Sequence, residues 1–276
     1  MSTIDVLWLA YLNRNSEDAG SDSTINLTIN VDGEDVHDHD YGHNVGDAEA
    51  HLAGGSQIDT PFDSATLTNS SMRIGVRDDD AWAPGDILLF GQSAAEFSSG
   101  VAVPLAMETG LTDWMSTDPS EGPLTVPLRR VDPGDSNTVI RRVLMLVYTQ
   151  WTHGSESGTD SGIQLEVFAG ENLVLREEIH DTSQSDLEVT SSNWYVMDAP
   201  VPFTRGEVQA GGRITLSILG DDAWKPLFLF VFGLDTASGR PNQVVSLVSR
   251  SVWGPRWMST DTNEGDPSVE LQVTPG

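Results

Sequence analysis

The chain has 276 residues, with 42 acidic side chains against 14 basic ones, a formal charge of −28 and no cysteine. The missing thiols exclude disulfides, thiol catalysis and cysteine-ligated metal, and the charge argues against direct contact with nucleic-acid phosphates. Hydrophobic residues reach 38%, enough for packed cores, while no apolar run approaches the ~20 residues of a membrane-spanning helix.

Taken in chain order, the opening Met1-Ser2-Thr3-Ile4-Asp5 shows no basic segment leading into an apolar run, so no signal peptide is visible. Val6 to Leu12 is nearly continuous in apolar residues and reads as a strand buried on both faces. Ile25, Leu27, Ile29 and Val31 then alternate with Thr24, Asn26, Thr28 and Asn30, the period-two pattern of a half-buried strand. Leu124-Val126-Leu128 alternates in the same way. Past the midpoint the signals return: a continuous run from Val143 to Tyr148, then alternation at Ile163-Leu165-Val167, Ile214-Leu216-Ile218 and Val269-Leu271-Val273. Clusters of Gly, Asn, Asp, Ser and Pro separate these segments and supply the turns. No window of three turns carries helical spacing. The expected fold class is all-β, as packed antiparallel sheets.

The returning signals belong to an internal repeat. Asp79-Asp80-Ala81-Trp82-Ala83-Pro84 reappears as Asp221-Asp222-Ala223-Trp224-Lys225-Pro226, and each copy runs into an apolar segment ending in glycine, Gly91 and Gly233. Trp114-Met115-Ser116-Thr117-Asp118 reappears as Trp257-Met258-Ser259-Thr260-Asp261, each followed by Glu-Gly. Ala19-Gly20-Ser21-Asp22 answers Ser157-Gly158-Thr159-Asp160. Two tandem, homologous antiparallel β-sandwich domains of jelly-roll type are therefore expected, over residues 1–132 and 138–276. The Pro-Gly turn and polar residues of 133–137 form the linker.

Tyr148-Thr149, an acidic-polar loop, then Gly158-Thr159-Asp160 before Ile163–Val167 resembles the opening of PLAT/LH2 domains. Trp224 ahead of the apolar strand Leu227–Phe232 is similar to that family's second landmark. The resemblance implies eight-stranded β-sandwiches that associate with membranes or surfaces, often with calcium in loops at one end. The first copy departs in having Ser21 where the second has threonine, and the Trp-Met-Ser-Thr-Asp segment lies outside the family pattern.

For catalysis, no Gly-x-Ser-x-Gly elbow, His-Glu-x-x-His or phosphate-cradling loop occurs, so a non-enzymatic role is expected. Asp78, Asp79 and Asp80, with Asp221 and Asp222, are candidate oxygen ligands for calcium, the one cofactor considered; the competing reading is turn capping. His37, His39 and His43 form a second candidate metal set, the first two on one face of an extended strand, against a solvated polar loop. Trp82, Trp224, Trp114 and Trp257 occur in both copies and read as core anchors. Trp151, Trp194 and Trp253 lack a counterpart and are candidates for an exposed binding surface or an interface.

The chain has one lysine, Lys225, and its acids are spread rather than blocked, which resembles extreme-halophile proteins whose carboxylates keep the surface hydrated. Together these readings point to a structural or adhesion protein working in high salt at a virion or cell surface, with a virion component (capsid decoration, turret or tail) as the specific form. Its partners would be other structural proteins or copies of itself in a homo-oligomer or larger assembly. The alternative is a module binding a host-surface glycan or a lipid surface.

Overall fold

The computed structural model describes residues 3–16, 19–41, 50–93, 101–149, 158–180, 187–188, 191–250 and 257–275. The protein is all-β with antiparallel sheets, and it divides into two compact units on either side of Asp132 and Pro133. At that division the Pro-Gly turn places Gly134 at φ 64, a backbone region that glycine enters without steric cost.

The first unit holds β1 (Thr3–Asn13), β2 (Ile25–Val31), β3 (Glu34–Tyr41), β4 (Ala50–Asp63), β5 (Ser70–Val76), β6 (Pro84–Gln92), β7 (Val103–Glu108) and β8 (Thr125–Leu128). Its strands run β4-β1-β6-β7 in one sheet and β3-β2-β5-β8 in another. The second unit holds β9 (Val139–Thr149), β10 (Ile163–Ala169), β11 (Asn172–Ile179), β12 (Ser192–Thr204), a short helix α1 (Arg205–Gln209), β13 (Arg213–Ile218), β14 (Pro226–Asp235), β15 (Gln243–Arg250), β16 (Trp257–Met258), β17 (Gly265–Asp266) and β18 (Ser268–Leu271). Here the orders are β12-β9-β14-β15 and β11-β10-β13-β18, with β16 and β17 forming a two-residue parallel pair.

Alternation decides which side chains enter each core. Ile25, Leu27 and Ile29 of β2 are fully buried and pack with Leu7, Leu9 and Tyr11 of β1, while Asn26, Thr28 and Asn30 face outward half-exposed. In the second unit Ile163, Leu165 and Val167 pack in the same manner with Val143, Met145 and Val147. The continuous apolar runs are buried on both faces: Leu7 to Tyr11 are at most 1% exposed and Val143 to Val147 at most 2%. Burying one such side chain contributes about 1.5–3 kcal/mol, so these central strands anchor their units.

The glycines that close the two apolar segments have a packing reason. A Cβ on Gly91 would stand 2.5 Å from Ile4 Cγ2, and one on Gly233 would stand 2.5 Å from Ile140 Cδ1. Both isoleucines are fully buried, so the bare backbone is the space they occupy.

Candidate functional site

The two repeated motifs pair with each other. The Trp82 N–H donates to the Met115 carbonyl at 2.9 Å and the Met115 N–H donates back at 2.8 Å; Trp224 and Met258 exchange the same two bonds at the same distances. Each indole of this pair of bridges, Trp82 and Trp224, is fully buried. Their Nε1–H groups donate to Asn13 Oδ1 at 2.7 Å and to Thr149 Oγ1 at 3.1 Å.

The rest of Trp-Met-Ser-Thr-Asp builds a turn. Ser116 donates its hydroxyl to Glu121 Oε2 at 2.7 Å and accepts the Asp118 N–H at 3.0 Å. Ser259 does the same with Glu264 at 3.1 Å and Asp261 at 3.0 Å. Thr117 and Thr260 donate to the carbonyls of Asp78 and Gly220, both at 3.2 Å. Asp118 Oδ1 accepts the Ser120 N–H, and Asp261 Oδ1 accepts the Asn263 N–H; with the Ser120 hydroxyl added, these bonds hold the exposed Asp118 carboxyl below the usual carboxylate range. The following glycines are compelled by a close approach: a Cβ at Gly122 would lie 2.0 Å from the Trp114 carbonyl oxygen, and one at Gly265 would lie 1.9 Å from that of Trp257.

Trp114 and Trp257 depart from the expectation of buried anchors: both are half-buried. A cation stands by each ring, Arg14 at 5.1 Å from the Trp114 centroid and Lys225 at 5.6 Å from that of Trp257. Neither ring belongs to the buried residues that make up the two cores.

The candidate calcium ligands fall into two groups. Asp80 Oδ2 accepts the Asp22 N–H at 2.8 Å, and Asp78 Oδ2 accepts the Thr24 N–H at 2.8 Å. Asp222 Oδ2 accepts the Asp160 N–H at 3.1 Å. The bonds cross from one loop to the next, so these aspartates latch the loop before β2 or β10 onto the Asp-Asp-Ala-Trp turn. Ser23 and Ser161 complete the latch through the Asp80 and Asp222 N–H groups at 3.0 and 3.2 Å. All five aspartates are exposed, and Asp79 and Asp221 take no part in these latch bonds. Among the described residues no group of three or more His, Asp or Glu side chains is arranged to hold a metal ion.

The histidine stretch is a strand, β3, rather than a solvated loop. Its register places His37 opposite Ile29, His39 opposite Leu27 and Tyr41 opposite Ile25, so all three point to the face that β2 turns into the core. His37 is buried and His39 exposed, their ring centroids 5.5 Å apart. Tyr41 Oη lies 3.4 Å from His37 Nε2 and 2.7 Å from Ser56 Oγ of β4. Burial, reinforced by the like charge of His39, lowers the His37 pKa to about 4, against a smaller opposing pull from Asp59 and Asp38. Burial pushes the Tyr41 hydroxyl up to about 12. On the outer face, the Asn26 amide and Arg77 hold Asp38 below its ordinary pKa, with Arg77 at 2.6 Å from Asp38 and 2.9 Å from Asp40.

His43, Trp151 and Trp253 lie outside the described residues. Trp194, on β12, is buried, and its Nε1–H has no partner among the described residues; the indole does not offer a face to solvent. Sequence reasoning did not single out Tyr41 and Ser56, because only the pairing of β3 and the approach of β4 bring them to His37. No protein-family model, curated protein or solved structure matches this chain.

Proposed function

We propose that the chain is a non-catalytic structural or adhesion protein of a high-salt organism, with a virion component such as a capsid decoration, turret or tail protein as the specific form. In this reading it is built from two homologous β-sandwich domains in tandem, of jelly-roll or PLAT-like type. The observation that carries the reading is the use to which the repeated polar residues are put. Ser116, Thr117, Asp118 and Glu121, and their equivalents Ser259, Thr260, Asp261 and Glu264, are engaged in holding backbone turns. What the copies share is thus scaffold, and scaffold repeated in tandem suits assembly through protein contacts. Sedimentation of the purified chain in molar NaCl, with and without particles from its source, tests this. Self-association or co-sedimentation supports it, and a monomer that joins no particle overturns it.

Asp79 and Asp221 favour a second reading. They are exposed at equivalent positions beside aspartates already committed to backbone, which suits a glycan- or lipid-surface-binding module that takes calcium in these loops. Binding to a glycan array or to anionic vesicles in millimolar calcium at high salt supports it, and no binding in either removes it.

A further inference from the structure

The first unit carries a buried histidine where the second carries leucine. His37 pairs with Ile29 on β2 and is 3% exposed; Leu175 pairs with Val167 on β10 and is 2% exposed. The burial pattern of β3 is repeated residue for residue along β11. His37 therefore occupies a position whose counterpart is filled by an aliphatic side chain, and it is neutral there for want of solvation.

What distinguishes the histidine is its link across the unit. Tyr41, four residues along the same strand, meets His37 Nε2 at 3.4 Å and Ser56 of β4 at 2.7 Å. In the second unit Ile179 stands where Tyr41 does, opposite Ile163 as Tyr41 is opposite Ile25, so no such link exists there. The groups acting on His37 are mixed. His39, on its own strand, opposes a second positive charge. Asp59 of β4 and Asp38 favour one, yet Asp38 faces outward to Arg77 and Asn26. Asp40 also faces outward to Arg77, and Tyr41 is neutral at any moderate pH.

We propose that His37, Tyr41 and Ser56 form an acid-released clasp that holds β3 to β4 in the first unit and has no equivalent in the second. A proton on His37 is costly where the side chain is 3% exposed and thus almost wholly removed from water. The strand that can move is β3, which lies at the end of its sheet with β2 as its one strand neighbour there. Its outward swing hydrates the imidazolium and breaks the Tyr41–Ser56 bond. Mild acid thus loosens one unit and leaves the other closed.

The sign follows from linkage. The folded pKa is about 4 against an ordinary 6.5, so the stabilising effect of neutral His37 is complete above the ordinary value and is lost as pH falls through the interval between them. Hydrogen–deuterium exchange in molar NaCl, corrected for intrinsic rates, tests this on the full chain by comparing peptides from β3 and β11. Opening of β3 should rise roughly 20-fold between pH 7 and pH 5, with β11 unchanged, and His37→Leu should abolish the response while keeping the packing that Leu175 shows to be compatible. NMR titration of the wild-type imidazole gives a second readout, with a midpoint near 4 expected. An equal response in β11, a response that survives in His37→Leu, or a His37 midpoint at the ordinary value would each overturn the clasp.

Discussion

Trp82 and Met115 exchange two backbone hydrogen bonds, 2.9 and 2.8 Å long, and 142 and 143 residues later Trp224 and Met258 exchange the same two. Two motifs separated by more than thirty residues of chain are thus the two sides of one bridge. That relationship places the two motifs side by side in each unit: a displacement of either segment would leave the other's backbone groups unpaired, at a cost of about 1–3 kcal/mol each.

The close approach behind the bridge can be tested at a single atom. Gly122→Ala and Gly265→Ala would drive a Cβ to about 2 Å from a backbone carbonyl, and the turn must open to admit it. Each is expected to destabilise its unit by about 2 kcal/mol or more, seen as a fall in chemical-denaturation midpoint. Gly85→Ala, where the nearest atom is 3.4 Å away, is the control. Equal effects at Gly85 and Gly122 would refute the steric argument.

The aspartates of the loops should separate by role. Asp80→Ala and Asp222→Ala each lose an acceptor for a neighbouring backbone N–H and are expected to cost about 1 kcal/mol. Asp79→Ala and Asp221→Ala should leave thermal stability in calcium-free buffer within about 0.5 kcal/mol of the parent. If calcium binds these loops, millimolar CaCl2 raises the parent's melting temperature, and the Asp79→Ala/Asp221→Ala double variant loses that rise. Calorimetry with and without chelator separates the two effects.

Removing the buried indoles should be far costlier. Trp82→Ala and Trp224→Ala each empty a site of zero exposure, and large-to-small changes of this kind cost about 3–5 kcal/mol. Trp114→Ala and Trp257→Ala, taken from half-buried rings, should cost markedly less. Denaturant titration of the four variants orders them, and similar losses throughout would contradict the burial assignment.

Dilution of salt is expected to destabilise the whole chain. At −28 the carboxylates repel one another, and exposed pairs such as Arg77 with Asp38 and Asp40 contribute at most about 1 kcal/mol apiece. Molar NaCl shortens the Debye length to roughly 3 Å, so the melting temperature should fall steadily as salt drops to millimolar. A salt-independent melt would mean the surface charge has no part in stability.

The Asp38 pair has a narrower pH signature. Its folded pKa is depressed, first by the Asn26 amide and then by Arg77, so its stabilising contribution is present above the ordinary carboxylate value and lost as pH falls through the depressed one. Asn26→Ala and Arg77→Gln should each move the Asp38 carbon resonance midpoint back toward its ordinary pKa. A midpoint that neither change moves would refute these causes.

How much of this was legible in one dimension follows from the range of the forces involved. Period-two alternation at Ile25–Val31 and Ile163–Val167 identified inward faces correctly, because a strand's side chains alternate whatever it packs against. The continuous runs in β1 and β9 likewise announced burial on both faces. Short-range signals were weaker where polarity and position disagree. Glu34–Tyr41 reads as a solvated loop by composition, yet it pairs with β2 as a strand, since backbone hydrogen bonding and the buried positions Val36, His37 and Tyr41 outweigh four outward acids. Trp114 and Trp257 read as core for the opposite reason: an indole's size suggests burial, yet both rings stay half-buried with a cation beside each.

By itself, then, the sequence determined the all-β class, the recurrence of two motifs and an acidic exterior, all of which are set by residue type and local spacing. Only the tertiary structure decided that the motifs pair with each other, that Asp78, Asp80 and Asp222 latch neighbouring loops, and that His37 reaches Ser56 through Tyr41. Those relationships depend on strand register and on contacts between residues 15 to 62 positions apart. No local propensity encodes such contacts, because the free energy that selects them comes from closing the whole core at once.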